Sequence, residues 1–392
     1  MSYTIETGMR MRKSILLAAA MVLCLVACRR NNVNSVVTTD TRVENVMRYA
    51  KNAIVIKTDK GSYVEVKDPW HEGEALGKFL LVNDSVALSM PDKKGDTTII
   101  VTPVKSVVSF SSTQWSVFMQ LGEIDRIKCV LEGRYAHNPV MKELLASGKI
   151  ADVGTEQAAD MEKIIAAQPD IMLYSPYFDQ SNDAMKRVGT VMFPYADYIE
   201  NTPLGRAEWI RIVGLLTAQQ ERADAWFDEI ERRYNALNSL CADVTERPTV
   251  FSDLAFNGQW YVAGGDSYIA KLFADAGADY VWRDDKSAAS FPLDAETILL
   301  KAQHADFWRV TNSAETPMTY ASLAAQDAKY TLFDAYKNHK IIVCDIIPTG
   351  YFEQSQLEPD ILLADFIYFF HPEMLTGEWE GYKPKYYHFV EG

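Results

Sequence analysis

The chain has 392 residues, 48% of them hydrophobic, more than one ordinary core needs, which predicts two domains of roughly 100 to 200 residues each. Its formal net charge of -14 argues against binding to the phosphate backbone of nucleic acid, which requires clustered Lys and Arg to displace counterions. An acidic surface favours solubility instead.

Residues 9–13 (MRMRK) supply positive charge, and residues 14–27 (SILLAAAMVLCLVA) form an apolar run ending in small residues, the pattern of a targeting segment. About 14 apolar residues fall short of the roughly 20 that a spanning helix needs. Leu25-Val26-Ala27-Cys28 resembles the bacterial lipobox, which implies a signal peptide over residues 1–27 and a lipid on Cys28 that anchors the protein to a membrane. Met1, Met9 and Met11 are all candidate starts, because the basic stretch begins only at Met9. Once Cys24 and Cys28 are set aside, Cys129, Cys241 and Cys344 remain. They form no disulfide framework and no CxxC pair, and the apolar runs around Cys129 and Cys344 predict buried thiols.

Residues 28–44 are polar and aperiodic, a flexible tether. Residues 45–103 are β-rich. NAIVIKT and SYVEVKD alternate apolar and polar positions around Asp59-Lys60-Gly61, a hairpin signal, and KFLLVND and TTIIVTPVK add two strands. Over 104–200 the pattern becomes strand-helix alternation: SVVSF, IKCVLEG, KIADVG, DIMLYS and TVMFPYA are separated by helical stretches such as NPVMKELLASG and TEQAADMEKIIAAQ. Alternation resumes over 243–392 with PTVFSDL, DSYIAKLFADAGA, DYVW, DAETILLKAQ, DFWRVT, TLFDAYKN, KIIVCDI and a closing helix through ADFIYFF. The expected fold is therefore α/β, two lobes with mainly parallel sheets flanked by helices. Residues 161–173 (MEKIIAAQPDIML) and 295–310 (AETILLKAQHADFWRV) echo one another, as expected of related lobes.

Between the lobes, residues 201–242 read as a helical linker. Pro203 suits a first helical turn, with Thr202 as its N-cap, and Thr217-Ala218-Gln219-Gln220 reads as a capping box that starts a second helix. On that second helix Ala223, Phe227, Ile230, Tyr234, Leu237 and Leu240 recur at steps of 3 or 4, an apolar stripe. From 218 to 241 it would extend roughly 36 Å. A single helix between lobes limits them to a small tilt or twist.

Chemistry-bearing motifs are missing: there is no GxxxxGK[ST], no GxSxG and no HExxH, and Gly264-Gly265 lacks the spacing of a dinucleotide fingerprint. The six His are scattered, so neither a resident metal nor a cofactor is expected.

The segment from Asp197 to Trp209 (DYIENTPLGRAEW) resembles the linker of substrate-binding lipoproteins that serve ABC importers of iron complexes and vitamin B12. VVSFSSTQWSVFMQLGEIDRIKCV (107–130), MEKIIAAQPDIMLYSP, YVAGGDSYIAKLFADAGADYVW (261–282) and IPTGYFEQSQLEPDILLADFIYFFHPEML (347–375) are also similar to segments of that family. The resemblance covers residues 104–385, and the extension over 45–103 is something shorter members lack. It implies a periplasmic protein whose partners are an ABC permease and its ATPase subunits. The ligand, an iron complex (ferric siderophore or haem) or a cobamide, would be held where the carboxyl ends of the strands face each other. The loops there carry Ser111, Ser112, Trp115, Tyr135, Tyr174, Tyr177, Asp197 and Tyr198 from the first lobe, and Trp260, Tyr261, Trp308, Arg309 and Tyr351 from the second. Flat rings suit a planar macrocycle or aromatic siderophore, and the scarcity of Arg beyond Arg134 and Arg309 favours a corrinoid or a weakly charged iron complex. Glu162 and Glu296 match the surface glutamates, one per lobe, that pair with permease arginines. Two other readings are a Zn or Mn ion binder and a two-lobed enzyme using Ser111 or Ser112 with His137.

Overall fold

In the computed structural model, which describes residues 44–87, 93–177 and 183–392, the strand-forming runs gather into three five-stranded sheets and two smaller ones. The targeting segment, Cys28 and the tether up to residue 43 lie outside the described residues. The first sheet is the extension: β1 (Ala53–Lys57), β2 (Ser62–Lys67), β3 (Ala75–Asn83), β4 (Lys93–Lys94) and β5 (Thr97–Thr102), in spatial order β1-β2-β3-β5-β4. Period-2 alternation buries Ala53, Val55, Val64 and Val66 on one face. The expected hairpin is present, and its Gly61 is obligatory, since a Cβ there would lie 2.0 Å from the Leu81 carbonyl oxygen.

The second sheet belongs to the first lobe. It comprises β6 (Val107–Ser109), β7 (Ile127–Val130), β8 (Ala151–Asp152), then, after a small hairpin of β9 (Gly154–Thr155) and β10 (Ala158–Ala159), β11 (Ile171–Tyr174) and β12 (Val191–Pro194). The spatial order is β12-β11-β6-β7-β8, and every pairing is parallel. Helices α1 (Ser112–Gln120), α2 (Pro139–Ala146) and α3 (Met161–Ala166) connect these strands. The helix expected over TEQAADMEKIIAAQ is shorter than read, because the β9–β10 hairpin takes its first residues and the Asp160 carboxylate, accepting from Lys163 N–H, fixes the helix start.

The linker is three helices: α4 (Pro203–Glu208), α5 (Ile210–Thr217) and α6 (Gln220–Leu240). Thr202 caps α4 as expected, its hydroxyl accepting from Gly205 N–H at 3.1 Å. The capping box expected at Thr217 is a correction: Thr217 is the buried last residue of α5, its Oγ1 donating to Val213 O at 2.8 Å. The chain turns at Ala218, in the left-handed region at φ 59, and α6 begins at Gln220 without a side-chain cap. Its 21 residues span roughly 31 Å, not 36. Ala223, Phe227, Ile230, Tyr234 and Leu237 form the buried stripe.

The second lobe contains β13 (Thr249–Ser252), β14 (Ala255–Phe256), β15 (Gln259–Ala263), α7 (Tyr268–Asp275), β16 (Asp279–Tyr280), β17 (Ser290–Leu293), α8 (Ala295–Ala302), β18 (Phe307–Asn312), β19 (Ile341–Asp345), α9 (Pro359–Phe370) and β20 (Tyr387–Phe389). Its main sheet runs β16-β13-β18-β19-β20, parallel except for β20, and β14-β15-β17 form a separate antiparallel sheet. The internal echo has a structural counterpart. In each lobe an Asp N-cap (Asp160, Asp294) starts a helix with Glu two residues on, and a later Asp (Asp170, Asp306) accepts the first N–H groups of the neighbouring strand region.

Two buried glutamates tie the extension to the linker. Glu208 accepts backbone N–H groups of Arg48, Tyr49 and Ala50 at 2.7–2.9 Å, and Glu200 accepts those of Lys51 and Asn52 at 2.9 Å. Five consecutive amides thus converge on two carboxylates, satisfying donors that a bend of this kind would otherwise leave unpaired. Arg211, itself buried, adds a bond to Val46 O at 3.0 Å and an ion pair with Asp228 at 3.0 Å.

Candidate functional site

The carboxyl ends of the first lobe's parallel strands place Ser111, Ser112 and Trp115 after β6, Tyr135 after β7, Tyr174 and Tyr177 at and beyond the end of β11, and Asp197 and Tyr198 beyond β12. Ser111 and Ser112 begin α1, whose first turn is held by Gln114: its Oε1 accepts the N–H of Phe110 at 2.8 Å and of Ser111 at 3.3 Å. Tyr135 is 56% exposed, with the Arg134 guanidinium 4.7 Å over its ring, and Tyr177 is 48% exposed. Burial first, and the Asp68 carboxylate second, push the Tyr174 phenol up to about 12. Tyr198 donates its hydroxyl proton to Pro176 O, which joins the loops after β11 and β12.

Asp197 does not face open solvent. It is 2% exposed, its Oδ1 has no partner among the described residues, and burial, only partly offset by the Arg206 charge, raises its carboxyl to about 7. Arg206 on α4 donates to the carbonyls of Glu200 and Tyr198 at 2.9 and 2.8 Å and lies 4.0 Å over the Tyr268 ring at the start of α7. The residues after β12 are thereby coupled to the second lobe.

On that side Trp260 and Trp308 are corrections. Both were expected in loops, yet they are 1% and 0% exposed and stack in the core around Phe251, with Phe251–Trp308 centroids at 5.1 Å and Trp260–Trp308 at 5.7 Å. Their indole N–H groups are consumed by Ser252 O and Asp253 O at 2.9 and 2.8 Å. The reason is strand register: each occupies a position of β15 or β18 that faces inward, whereas the next residue of β15, Tyr261, is exposed. Arg309 is also buried, its guanidinium paired with Asp253 Oδ1 at 3.0 Å and donating to Tyr387 Oη at 2.8 and 3.0 Å. Tyr351 is buried edge-on against Tyr386 and Tyr387, with centroids at 5.7 and 6.3 Å. Arg309, Tyr351, Tyr387 and Tyr268 thus form one cationic-aromatic cluster at the face toward Arg206.

The lobes touch through the one-turn helix Tyr351–Gln354 after β19. Glu353 Oε1 accepts the His137 N–H at 2.5 Å, and Gln356 Nε2 donates to Ser116 Oγ at 3.0 Å. Glu353 Oε2 is buried and has no partner among the described residues, and burial raises its carboxyl above the usual range. Beside this bridge a cavity of about 230 Å³ opens between the lobes, lined by Trp115, Ser116, Met119, Asn138, Glu353 and Leu357. It is smaller than the roughly 300–1,000 Å³ of drug-sized ligand pockets. A cavity of about 390 Å³ lies elsewhere, along the β16 edge, and its Arg247 and Arg283 are already paired with Asp279. Sequence reasoning missed Glu353, Gln356 and the exposed Phe352; the signal was a Gly350 turn followed by an aromatic pair and polar residues.

Glu162 and Glu296 are both exposed, each two residues past an Asp N-cap, and neither is ion-paired among the described residues. The hydroxyls of Ser111 and Ser112 are not hydrogen-bonded to His137 among the described residues; Ser111 Oγ lies 2.9 Å from Thr113 Oγ1. Cys129 and Cys344 are buried free thiols, as expected, Cys241 is buried too, and Cys344 is pushed up to about 12 by burial. One group among the described residues has metal-ligand spacing: Asp68, His71 and Glu74, with donor atoms within 4.8 Å of one another. It offers three donors on a largely exposed loop, where a structural Zn site closes with four.

Comparison with known proteins now decides the family. The model of the periplasmic binding protein family matches residues 107–347, more than half of the chain. This chain belongs to the periplasmic binding protein family. An uncharacterized lipoprotein of Methanocaldococcus jannaschii is 28% identical over 377 residues, covering 88% of both chains. Among solved structures, the ABC-type Fe3+-hydroxamate transport protein of Saccharomonospora viridis superposes with a TM-score of 0.53 at 18% identity, over 70% of this chain and 94% of that one. The periplasmic vitamin B12 binding protein of Vibrio cholerae does so with a TM-score of 0.51 at 13% identity, over 68% and 96%. At these identities the structures establish the two-lobed fold. They are matched almost whole, while roughly a third of this family member has no counterpart in them.

Proposed function

We propose that this binding protein captures an iron complex (ferric siderophore or haem) or a cobamide between its lobes, taken as residues 104–200 and 243–392, and hands it to the permease of an ABC importer. The observation that carries the reading is the seam itself. Beside the two side-chain hydrogen bonds that join these lobes among the described residues, Glu353–His137 and Gln356–Ser116, a cavity opens that is lined by residues of both. Tyr135, Tyr177 and Tyr261 offer exposed flat rings, which bind planar ligands at little entropic cost. The present cavity is too small for such a ligand, so binding requires the lobes to part by a small tilt about α6.

Affinity then comes from burial between two nearly preformed faces. No covalent chemistry is required, and ATP hydrolysis belongs to partner subunits. Glu162 and Glu296 serve as the docking pair toward permease arginines. Residues 1–27 are a lipoprotein signal peptide, and the lipid on Cys28 holds the protein at a membrane on the periplasmic side, with residues 28–44 as tether. The test is to follow tryptophan fluorescence of the purified protein while titrating cyanocobalamin, haemin and several ferric siderophores. The reading predicts micromolar or tighter binding of one class; no binding of any of them overturns it.

A further inference from the structure

The N-terminal sheet has a loop whose position the family fold does not account for. β3 packs on β12, with Phe79 and Phe193 centroids at 4.6 Å, and a Cβ on Gly77 would lie 3.6 Å from Pro194 Cδ. Moving backwards along β3, from Phe79 to Gly77, therefore moves forward along β12, from Phe193 to its last residue, Pro194. Continued past Ala75, the same path carries the preceding loop, Asp68 to Glu74, beyond the carboxyl end of β12, which is the ligand side of any parallel sheet. The electrostatics point the same way. Asp68 acts electrostatically on Tyr174, the last residue of β11, whose register partner is Pro194.

The loop is held in shape. Asp68 N–H donates to Glu74 O at 3.0 Å, and the Asp68 carboxylate accepts from Trp70 N–H at 2.8 Å and meets His71 Nδ1 at 2.9 Å. The sheet that carries it is fixed by the five amide bonds to Glu200 and Glu208. Its side chains are two flat rings, half-buried Trp70 and exposed His71, among the carboxylates Asp68, Glu72 and Glu74.

We propose that the loop from Asp68 to Glu74 is a third wall of the ligand cleft, contributed by the extension, and that it selects against anionic ligands. This rests on the interlobe binding reading above. The rings supply contact area, and the Glu72 and Glu74 carboxylates, beside an Asp68 already engaged with His71, repel a trianionic ferric catecholate while admitting a neutral or cationic hydroxamate complex or a cobamide.

The test uses the full chain in a nonionic detergent, titrated by calorimetry with cyanocobalamin, ferrioxamine B and ferric enterobactin. The Trp70→Ala/His71→Ala and Glu72→Gln/Glu74→Gln variants follow, with hydrogen exchange measured on wild type with and without the tightest probe. Expected are a tenfold or greater loss of affinity in the ring variant, a relative gain for ferric enterobactin in the glutamine variant, and slowed exchange over 68–74 on binding. Wild-type binding with affinities unchanged within twofold in both variants, and no slowing over 68–74, would overturn the third wall and leave interlobe binding standing. If wild type binds no probe, both fall. Should a variant fail to fold, the exchange result on wild type decides.

Discussion

At the residue scale, buried carboxylates differ in what they satisfy. Glu200 and Glu208 accept backbone N–H groups that would otherwise be unpaired, although burial still raises the Glu200 carboxyl above its usual range, whereas Asp197 is buried with one oxygen unpartnered among the described residues. Removing the Glu208 carboxylate strands three amides, each costing about 1–3 kcal/mol when buried. Glu208→Ala is therefore expected to lower stability by roughly 3 kcal/mol or more, with faster hydrogen exchange at Arg48, Tyr49 and Ala50. For Asp197 the folded carboxyl titrates at about 7 against 3.8 unfolded, so the folded state binds its proton more tightly. Its contribution to stability grows as pH falls from above 7 and is complete below about 4. Asp197→Asn should unfold at higher denaturant than wild type at pH 8, by up to about 4 kcal/mol, and that advantage should shrink toward pH 4. None of this was legible in the sequence. No local pattern marks Glu200 and Glu208, because their partners lie about 150 residues away in the chain.

At the scale of elements, periodicity succeeded where one face is buried and failed where turns decide. The stripe on α6 was read correctly from steps of 3 and 4, and both halves of the β1–β2 hairpin from alternation. The Thr217 capping box failed because α5 and α6 approach so closely that Thr217 is buried within the first helix. The permissive residue at that crossing is Gly214, where a Cβ would lie 2.6 Å from the Ala223 Cβ. Gly214→Ala should push α5 off α6 and lower the melting temperature, by the equivalent of about 1–3 kcal/mol for an overpacked site. The matched helix starts at α3 and α8 carry the docking prediction: Glu162→Ala plus Glu296→Ala should leave ligand affinity intact and abolish uptake in cells. Loss of affinity instead would place these residues in the cleft.

At the scale of the whole molecule, strand-helix alternation was enough to predict two α/β lobes and a helical link, since parallel sheets must be covered on both faces. The site was only half legible. The rule of loop positions after strands led to Tyr135 and Tyr177, whose rings are exposed, but it misplaced Trp260 and Trp308, because facing within a strand depends on register that no composition reveals. The interlobe bridge joins residues more than 200 positions apart and leaves no local signal. The account's central claim is that ligand lies between the lobes, so the decisive measurement is calorimetry of the tightest-binding probe on wild type and on two variants. Tyr135→Ala and Phe352→Ala each remove one exposed ring, the first two residues before His137 in one lobe and the second beside Glu353 in the other. The account predicts one ligand per chain and a tenfold or greater loss of affinity in each variant. Unchanged affinity in both, with one ligand still bound per chain, would contradict it.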